Sequence, residues 1–236
     1  MTVAKVPPPA VEELAPARRP DLLPMGEAAL LWRWAARVPS PRMSATVGAA
    51  WRAVRAGRLA GVVDTVPGPA SLLVRFDPLR TSAEAVRLAV EALLPADVDP
   101  APGRTHTLAV RYGGADGPDL DEVAGRLGMR PEAVIRLHQQ ARYSVLVTGF
   151  MPGFVYLGPL APSLRLPRRE YPRRVVPAGS VAIAEAQTGV YGVQSSGGWW
   201  LIGRIEARLF DPRVNPPTRF AIGDEVSFQP ADHIGM

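Results

Sequence analysis

The chain has no cysteine and only three histidines in 236 residues. Without thiols there are no disulfides, thiolate nucleophiles or cysteine-containing metal sites, and the composition fits a reducing compartment. His106, His138 and His233 are too scattered for a zinc centre, so no metal is expected. Lysine is almost missing. Lys5 is the only one, which excludes a phosphate loop ending in Gly-Lys-Ser/Thr, and no G-x-G-x-x-G opens a helix. Long apolar runs are lacking too: Ala28 to Ala36 is interrupted by Arg33 and is far too short to span a bilayer. Residues 1–19 carry three consecutive prolines and no apolar core of a secretion signal, so a cytoplasmic protein away from membranes is expected.

A hydrophobic content of 47% is ample for one large core or two small ones. Basic residues exceed acidic ones by 27 to 22, a net charge of +5. They are not interleaved with aromatics in a repeat, and no zinc-finger or RNP motif occurs, which sets nucleic acid aside. Arg165 to Arg174 alone holds five arginines and one glutamate, so most of the excess sits in one segment. Guanidinium groups bind carboxylate or phosphate through paired hydrogen bonds, although a solvated basic loop would read the same way.

Residues 1–20, rich in proline, alanine and charge, read as a flexible tail. Ala28 to Trp34 suggests a strand. Ser40-Pro41 then caps a helix with Met43, Val47, Ala50, Trp51 and Val54 on one face, ended by Gly57. Gly61 to Val66 and Ser71 to Phe76 are short strands around the turn Pro67-Gly68-Pro69, and Thr81-x-x-Glu84 reads as a capping box before a second helix. This β-α-β-β-α order is most of a ferredoxin-like unit over 21–95, with Thr105 to Tyr112 available as a fourth strand. Residues 96–103, dense in proline and aspartate, read as a linker.

Beyond it, Asp119-x-x-Glu122 is a second capping box, Gly128 a helix stop and Pro131 a helix start; that helix carries Val134, Ile135, Leu137 and His138. From Tyr143 the period changes to two, and short strands alternate with Gly/Pro turns, as in a closed or nearly closed β-barrel over 104–236. The expected class is therefore α+β, a small ferredoxin-like α/β unit followed by a barrel.

Within the barrel region lie ordered blocks: Gly149-Phe150-Met151-Pro152-Gly153-Phe154-Val155-Tyr156-Leu157, Pro167 to Arg173, Val176 to Val181, Gln187 to Tyr191, Gly197 to Trp199, Ile202 to Arg204 and Leu209 to Pro212. In these blocks the chain resembles the family that includes the B subunit of the bacterial ATP-dependent 5-oxoprolinase, the kinase inhibitor KipI, and allophanate hydrolase subunit 1 with its counterpart in urea carboxylase. The resemblance implies a cyclophilin-like barrel and partnership with the C and A subunits of 5-oxoprolinase. It also implies ATP-driven opening of 5-oxoproline to glutamate, with ATP acting at the level of the complex. A KipI-type interaction with a sensor kinase and an allophanate- or urea-related role are its alternatives. Ala182-Ile183-Ala184-Glu185 departs from the family's usual Gly-Ile-Ala-Gly, which bears on substrate preference.

Opening a lactam that carries a carboxylate calls for cations, hydrogen-bonding groups and little water. Arg168, Arg169, Arg173 and Arg204 are the candidate anion clamps; Ser180, Gln187, Thr188 and Tyr191 are candidate hydrogen-bonding groups; Trp199 and Phe154 are a candidate apolar wall. Phe150, Phe154 and Trp199 read more readily as core than as ligand-facing, and Gly153, Gly179, Gly189 and Gly198 read equally as turn residues. No G-x-S-x-G elbow supports Ser180 as a nucleophile. His138 and Tyr191 are the candidates for a catalytic role, with packing or an interface as the other reading of His138. Asp211-Pro212 reads as a turn.

Overall fold

The computed structural model describes residues 19–35, 40–95 and 103–231. The expected tail up to residue 18, most of the expected linker (96–102) and His233 lie outside these.

The first part is built from β1 (Asp21–Pro24), β2 (Ala29–Arg33), α1 (Pro41–Ala56), β3 (Val62–Pro67), β4 (Ser71–Phe76) and α2 (Ala83–Glu91). Ser40 caps α1 with its hydroxyl on the Met43 amide at 3.2 Å, as the Ser-Pro signal predicts. For α2 the cap is Ser82 rather than Thr81. Its hydroxyl accepts from the Ala85 amide at 3.2 Å, while Glu84 is taken up by Arg87. All strand pairs are antiparallel and the order is β1-β2-β4-β3. The place flanking β2, for which Thr105 to Tyr112 was available, is filled by β1, a strand too short and too proline-bounded to stand out in sequence. Met43, Val47, Ala50 and Val54 of α1 and Val86 and Val90 of α2 close a core with Leu30, Trp32, Leu72 and Val74.

Thr105–Tyr112 is instead β5 of a closed seven-stranded barrel. With β6 (Tyr143–Thr148), β7 (Val155–Gly158), β9 (Ser180–Ala184), β10 (Gln187–Val190), β12 (Trp200–Arg204) and β13 (Glu225–Pro230), the barrel runs β10-β7-β6-β13-β5-β12-β9 and closes through β9 on β10. Only the β13–β5 pair is parallel among these strands. Helices α3 (Leu120–Leu127) and α4 (Pro131–Gln140) add Leu120, Val123, Ala124 and Val134 to the barrel core. Gly48 on α1 meets Ile222 of the barrel region, where an added Cβ would lie 3.0 Å from Ile222 Cγ2, so α1 touches both cores. No helix among the described residues is long and apolar enough to cross a membrane.

Period-two alternation gives the barrel wall two functions. On β9, Val181 and Ile183 point into the barrel, whereas Ala182 and Ala184 face a second, outer cluster with Phe154, Val176, Tyr191, Trp199 and Leu201. That outer face is flanked by a two-stranded ribbon of β8 (Arg173–Val176) and β11 (Ser195–Gly197). Small residues here let aromatic rings lie on the wall. Gly189, which the sequence allowed as a turn residue, sits within β10 opposite Ala182, and a Cβ on it would meet the Phe154 and Trp199 rings at 3.1 Å. Gly198 has room, its nearest neighbour being Pro172 at 3.6 Å. Gly189→Ala is therefore expected to cost about 1–3 kcal/mol through overpacking, whereas Gly198→Ala stays within about 0.5 kcal/mol. Paired urea titrations check the difference.

Candidate functional site

The expected capping box at Asp119 does not form. Asp119 has φ −102° and ψ −2° and makes no side-chain cap bond. Its buried carboxylate turns inward, where it accepts hydrogen bonds from the Leu201 amide at 2.7 Å, from Arg169 Nη1 at 3.0 Å, and from both Nη atoms of Arg173 at 2.8 and 2.5 Å. The Arg173 contact is the two-pronged geometry that makes guanidinium–carboxylate pairs specific. Glu122 adds a second acid 3.6 Å from Arg169. The arginine-rich segment thus has an internal counter-ion fifty residues earlier in the chain.

Further contacts fasten the segment to the barrel. The Trp200 indole donates to the Pro167 carbonyl at 2.7 Å, and the Arg169 amide donates to the Gly198 carbonyl at 2.8 Å. The guanidiniums of Arg126 and Arg169 each lie 4.8 Å from the centre of the Trp200 ring, within cation–π reach. Arg204 is held separately, 2.5 Å from Asp116, which also takes Arg111 at 2.6 Å. Three of the four predicted anion clamps, Arg169, Arg173 and Arg204, are therefore already neutralised within the chain. Arg168 is the exception: it is exposed and has no carboxylate partner among the described residues.

The other predicted residues sort by the face of the wall they occupy. Thr188 points into the barrel; Gln187, Tyr191 and Trp199 lie on the outer side, where Ser180 is buried at the start of β9. Phe154 is the hub of the outer cluster, with Tyr156, Tyr191 and Trp199 packed against it edge to face at centroid distances of 4.7, 4.9 and 5.7 Å. Burial pushes the Tyr191 phenol up to about 12, assisted by neighbouring Tyr156 and opposed by Arg168, by a backbone hydrogen bond at Trp199 and by Arg173. Burial also raises Tyr156, again opposed by Arg168. Both phenols stay protonated at neutral pH, so Tyr191 is suited to donating a hydrogen bond and unsuited to acting as a base.

Phe150, read from sequence with the other aromatics as core, is instead at the surface. It is 59% exposed, its φ of +71° lies in the left-handed region, and its ring sits 5.6 Å from Phe154. For a residue with a Cβ, that backbone costs about 1–2 kcal/mol, and such outliers concentrate at functional sites. Asp119, read from sequence as a cap, was missed as the counter-ion of Arg169 and Arg173; the signal for it was a run of arginines in need of an acid. An open depression of about 540 Å³ runs between Gly179, Gly192, Ile205 and Phe210, but none of the predicted arginines lines it. Arg169 and Arg173 converge on Asp119, and Arg204 on Asp116, rather than on a ligand-sized hollow. Asp211, read as a turn residue, is held to about 2 by hydrogen bonds from Arg213.

His138, a candidate catalytic group, is wholly buried inside the barrel against Phe228, 4.6 Å between ring centres. Thr188 Oγ1 donates to the Ala182 carbonyl at 2.9 Å, so it accepts from His138 Nε2–H at 2.9 Å; Nδ1 is then the acceptor for the Tyr112 hydroxyl at 2.8 Å. Both ring nitrogens are used and burial drops the imidazole to about 3, which makes His138 a neutral core residue rather than a catalyst reached from the surface.

Both networks can be tested by substitution. Asp119→Asn leaves two guanidiniums without their carboxylate, and a broken buried pair costs about 3–5 kcal/mol. The lower end applies, because Arg169 and Arg173 keep 24% and 26% of their side-chain surface exposed; chemical denaturation reads the loss. His138, with its folded value below the unfolded one, contributes stability that is complete above pH 6.5 and is lost as pH falls toward 3. Its share of the slope approaches about 1.4 kcal/mol per pH unit, and His138→Gln is expected to flatten the stability–pH curve across that window.

Comparison with known proteins matches residues 20–220 to the model of the carboxyltransferase domain, subdomain C and D. The 5-oxoprolinase B subunit of Bacillus subtilis (strain 168) is 36% identical over 216 residues, 86% of this chain and 90% of the relative. The 5-oxoprolinase B subunit of Escherichia coli O157:H7 is 40% identical over 182 residues, 76% of this chain and 84% of the relative. Among solved structures, that of TTHA0988 superposes with a TM-score of 0.77 at 37% identity over 86% of this chain, which spans only 40% of that longer one. With its closed barrel and near full-length likeness to these relatives, the chain belongs to the carboxyltransferase subdomain C and D family that includes the bacterial 5-oxoprolinase B subunits.

Proposed function

We propose that this chain is the B subunit of an ATP-dependent 5-oxoprolinase and that, in the cytoplasm with the A and C subunits, it opens 5-oxoproline to L-glutamate. The observation that carries the reading is a patch on the outer side of the barrel wall where the Gly149–Leu157, Pro167–Arg173, Gln187–Tyr191 and Gly197–Trp199 blocks meet, a buried cluster of Phe154, Tyr191 and Trp199 edged by half-buried Tyr156 and by exposed Phe150 and Arg168. Its accessible edge carries half-buried Tyr156, an arginine without a carboxylate partner among the described residues, and an aromatic residue held in a strained backbone.

What this face lacks also supports a shared site. Ser180 is buried with no base hydrogen-bonded to its hydroxyl among the described residues, and His138 is sealed inside the barrel. Lactam opening needs a site that excludes water, and an open surface excludes it only when a second protein covers it. The C subunit is the proposed cover. ATP, bound at the level of the complex, would supply the activation of a poorly electrophilic amide carbonyl; this chain's share is to bind and orient the ring. Glu185, at the β9–β10 turn with its amide on the Leu166 carbonyl at 2.7 Å, borders the same segment and is placed to influence which lactam is accepted.

Co-purification with candidate A and C subunits, followed by assay of glutamate release from 5-oxoproline with ATP, tests the proposal. Turnover is expected from the assembled proteins and none from the isolated chain. Appreciable turnover by this chain alone would refute the shared site, and an inactive stable assembly would refute the assignment.

A further inference from the structure

Arg168 differs from Arg169 and Arg173 of the same anchored segment in having no carboxylate partner among the described residues. Residues on both sides of it are pinned through backbone atoms, Pro167 by its carbonyl to the Trp200 indole and Arg169 by its amide to the Gly198 carbonyl. Arg169 and Arg173 are consumed by Asp119. Arg168 therefore has a fixed backbone and a free cationic head, an arrangement that reduces the ordering cost of capturing an anion.

Its surroundings are specific. Gly198 adjoins Trp199, whose ring lies 5.7 Å from that of Tyr156, and a Cβ on Gly197 would collide with the Tyr191 hydroxyl. The pin at Gly198 thus carries the backbone next to Arg168 to the edge of the Tyr156–Trp199–Tyr191 cluster, and the charge of Arg168 opposes the upward shift that burial gives both phenols. Phe150, exposed and held with positive φ, lies over the same aromatic cluster through Phe154.

We propose that Arg168, assisted by the Tyr156 hydroxyl, is the carboxylate-binding subsite for a small cyclic amide acid, with Phe150 covering the apolar edge of its ring. This rests on the 5-oxoprolinase reading and adds which part of the substrate this chain holds. The guanidinium supplies charge-assisted hydrogen bonds to the carboxylate and the phenol supplies one more. The ring methylenes need only an apolar surface. Because the carboxylate keeps its charge throughout lactam opening, the contact contributes equally to bound substrate and transition state. Its loss therefore appears in KM rather than in kcat.

In the assembled enzyme, Arg168→Ala is expected to raise KM for 5-oxoproline by about 10- to 100-fold, the worth of charge-assisted hydrogen bonds, with kcat and KM for ATP little changed. The preference for 5-oxoproline over 2-pyrrolidinone, the same lactam without its carboxylate, should fall by a similar factor. Arg174→Ala, on an exposed neighbour, should change neither. An unchanged melting temperature confirms that Arg168→Ala folds. A readout independent of turnover is modification of the assembly by phenylglyoxal, followed by peptide mass spectrometry: 5-oxoproline should shield Arg168 and leave Arg174 reactive. Absent shielding or an unchanged KM overturns the subsite. Shielding of Arg168 without glutamate release would uphold the subsite and overturn the oxoprolinase reading.

Discussion

One buried carboxylate organises the functional half of this protein. Asp119 is nearly inaccessible and accepts from a backbone amide and two guanidiniums. Such a group is costly to desolvate, and its ion pairs recover that cost only when the geometry is good and the remaining lone pairs are filled. Here the lone pairs are filled. The result is less a gain in stability than a choice of conformation: residues 166–173, the middle of the arginine-rich run from Arg165 to Arg174, are held against β12 and α3 instead of extending into water. The proximity of Arg168 to the aromatic face depends on that choice.

The barrel wall does the sorting that allows this. Along β9 and β10, successive residues alternate between a core that binds nothing and a face that can. Thr188 and His138 complete a sealed polar network inside, with Tyr112 as its third member, while Gly189 and Tyr191 belong to the outside. The inner network has a definite tautomer and all its hydrogen bonds made, so it rigidifies the barrel from within. Rigidity there has a functional use, because the outer aromatic cluster rests on the other side of the same strands and inherits their positions.

Much of the fold was legible in the amino-acid sequence because its signals are local. Ser40-Pro41 marks the start of α1, and the shift to period two at Tyr143 marks the barrel. The errors have a common cause, which is that tertiary contacts overrode local chemistry. Asp119 has the sequence signature of a helix cap, but the arginines fifty residues on compete for its carboxylate and win. Thr105–Tyr112, which lies in the expected barrel range but stayed open to either unit, has the alternation of any half-buried strand, and nothing within it says that its partners are β12 and β13 rather than β2. The four candidate clamps look alike in sequence; only the positions of Asp116 and Asp119 distinguish a neutralised arginine from a free one.

That distinction decides how the open face works. If all four guanidiniums were free, their mutual repulsion would oppose close packing, and a bound anion would have to order several long side chains at once. Neutralising three inside the chain leaves one of the four free among the described residues, at the exposed edge of an apolar cluster where exclusion of water would strengthen its ion pair. The strain at Phe150 belongs to the same design, since an exposed ring held in an unfavourable backbone is compensated elsewhere, here by packing against Phe154. A covering protein would then find a surface already shaped and charged, and its own contribution would be chiefly to exclude water and bring the activating group.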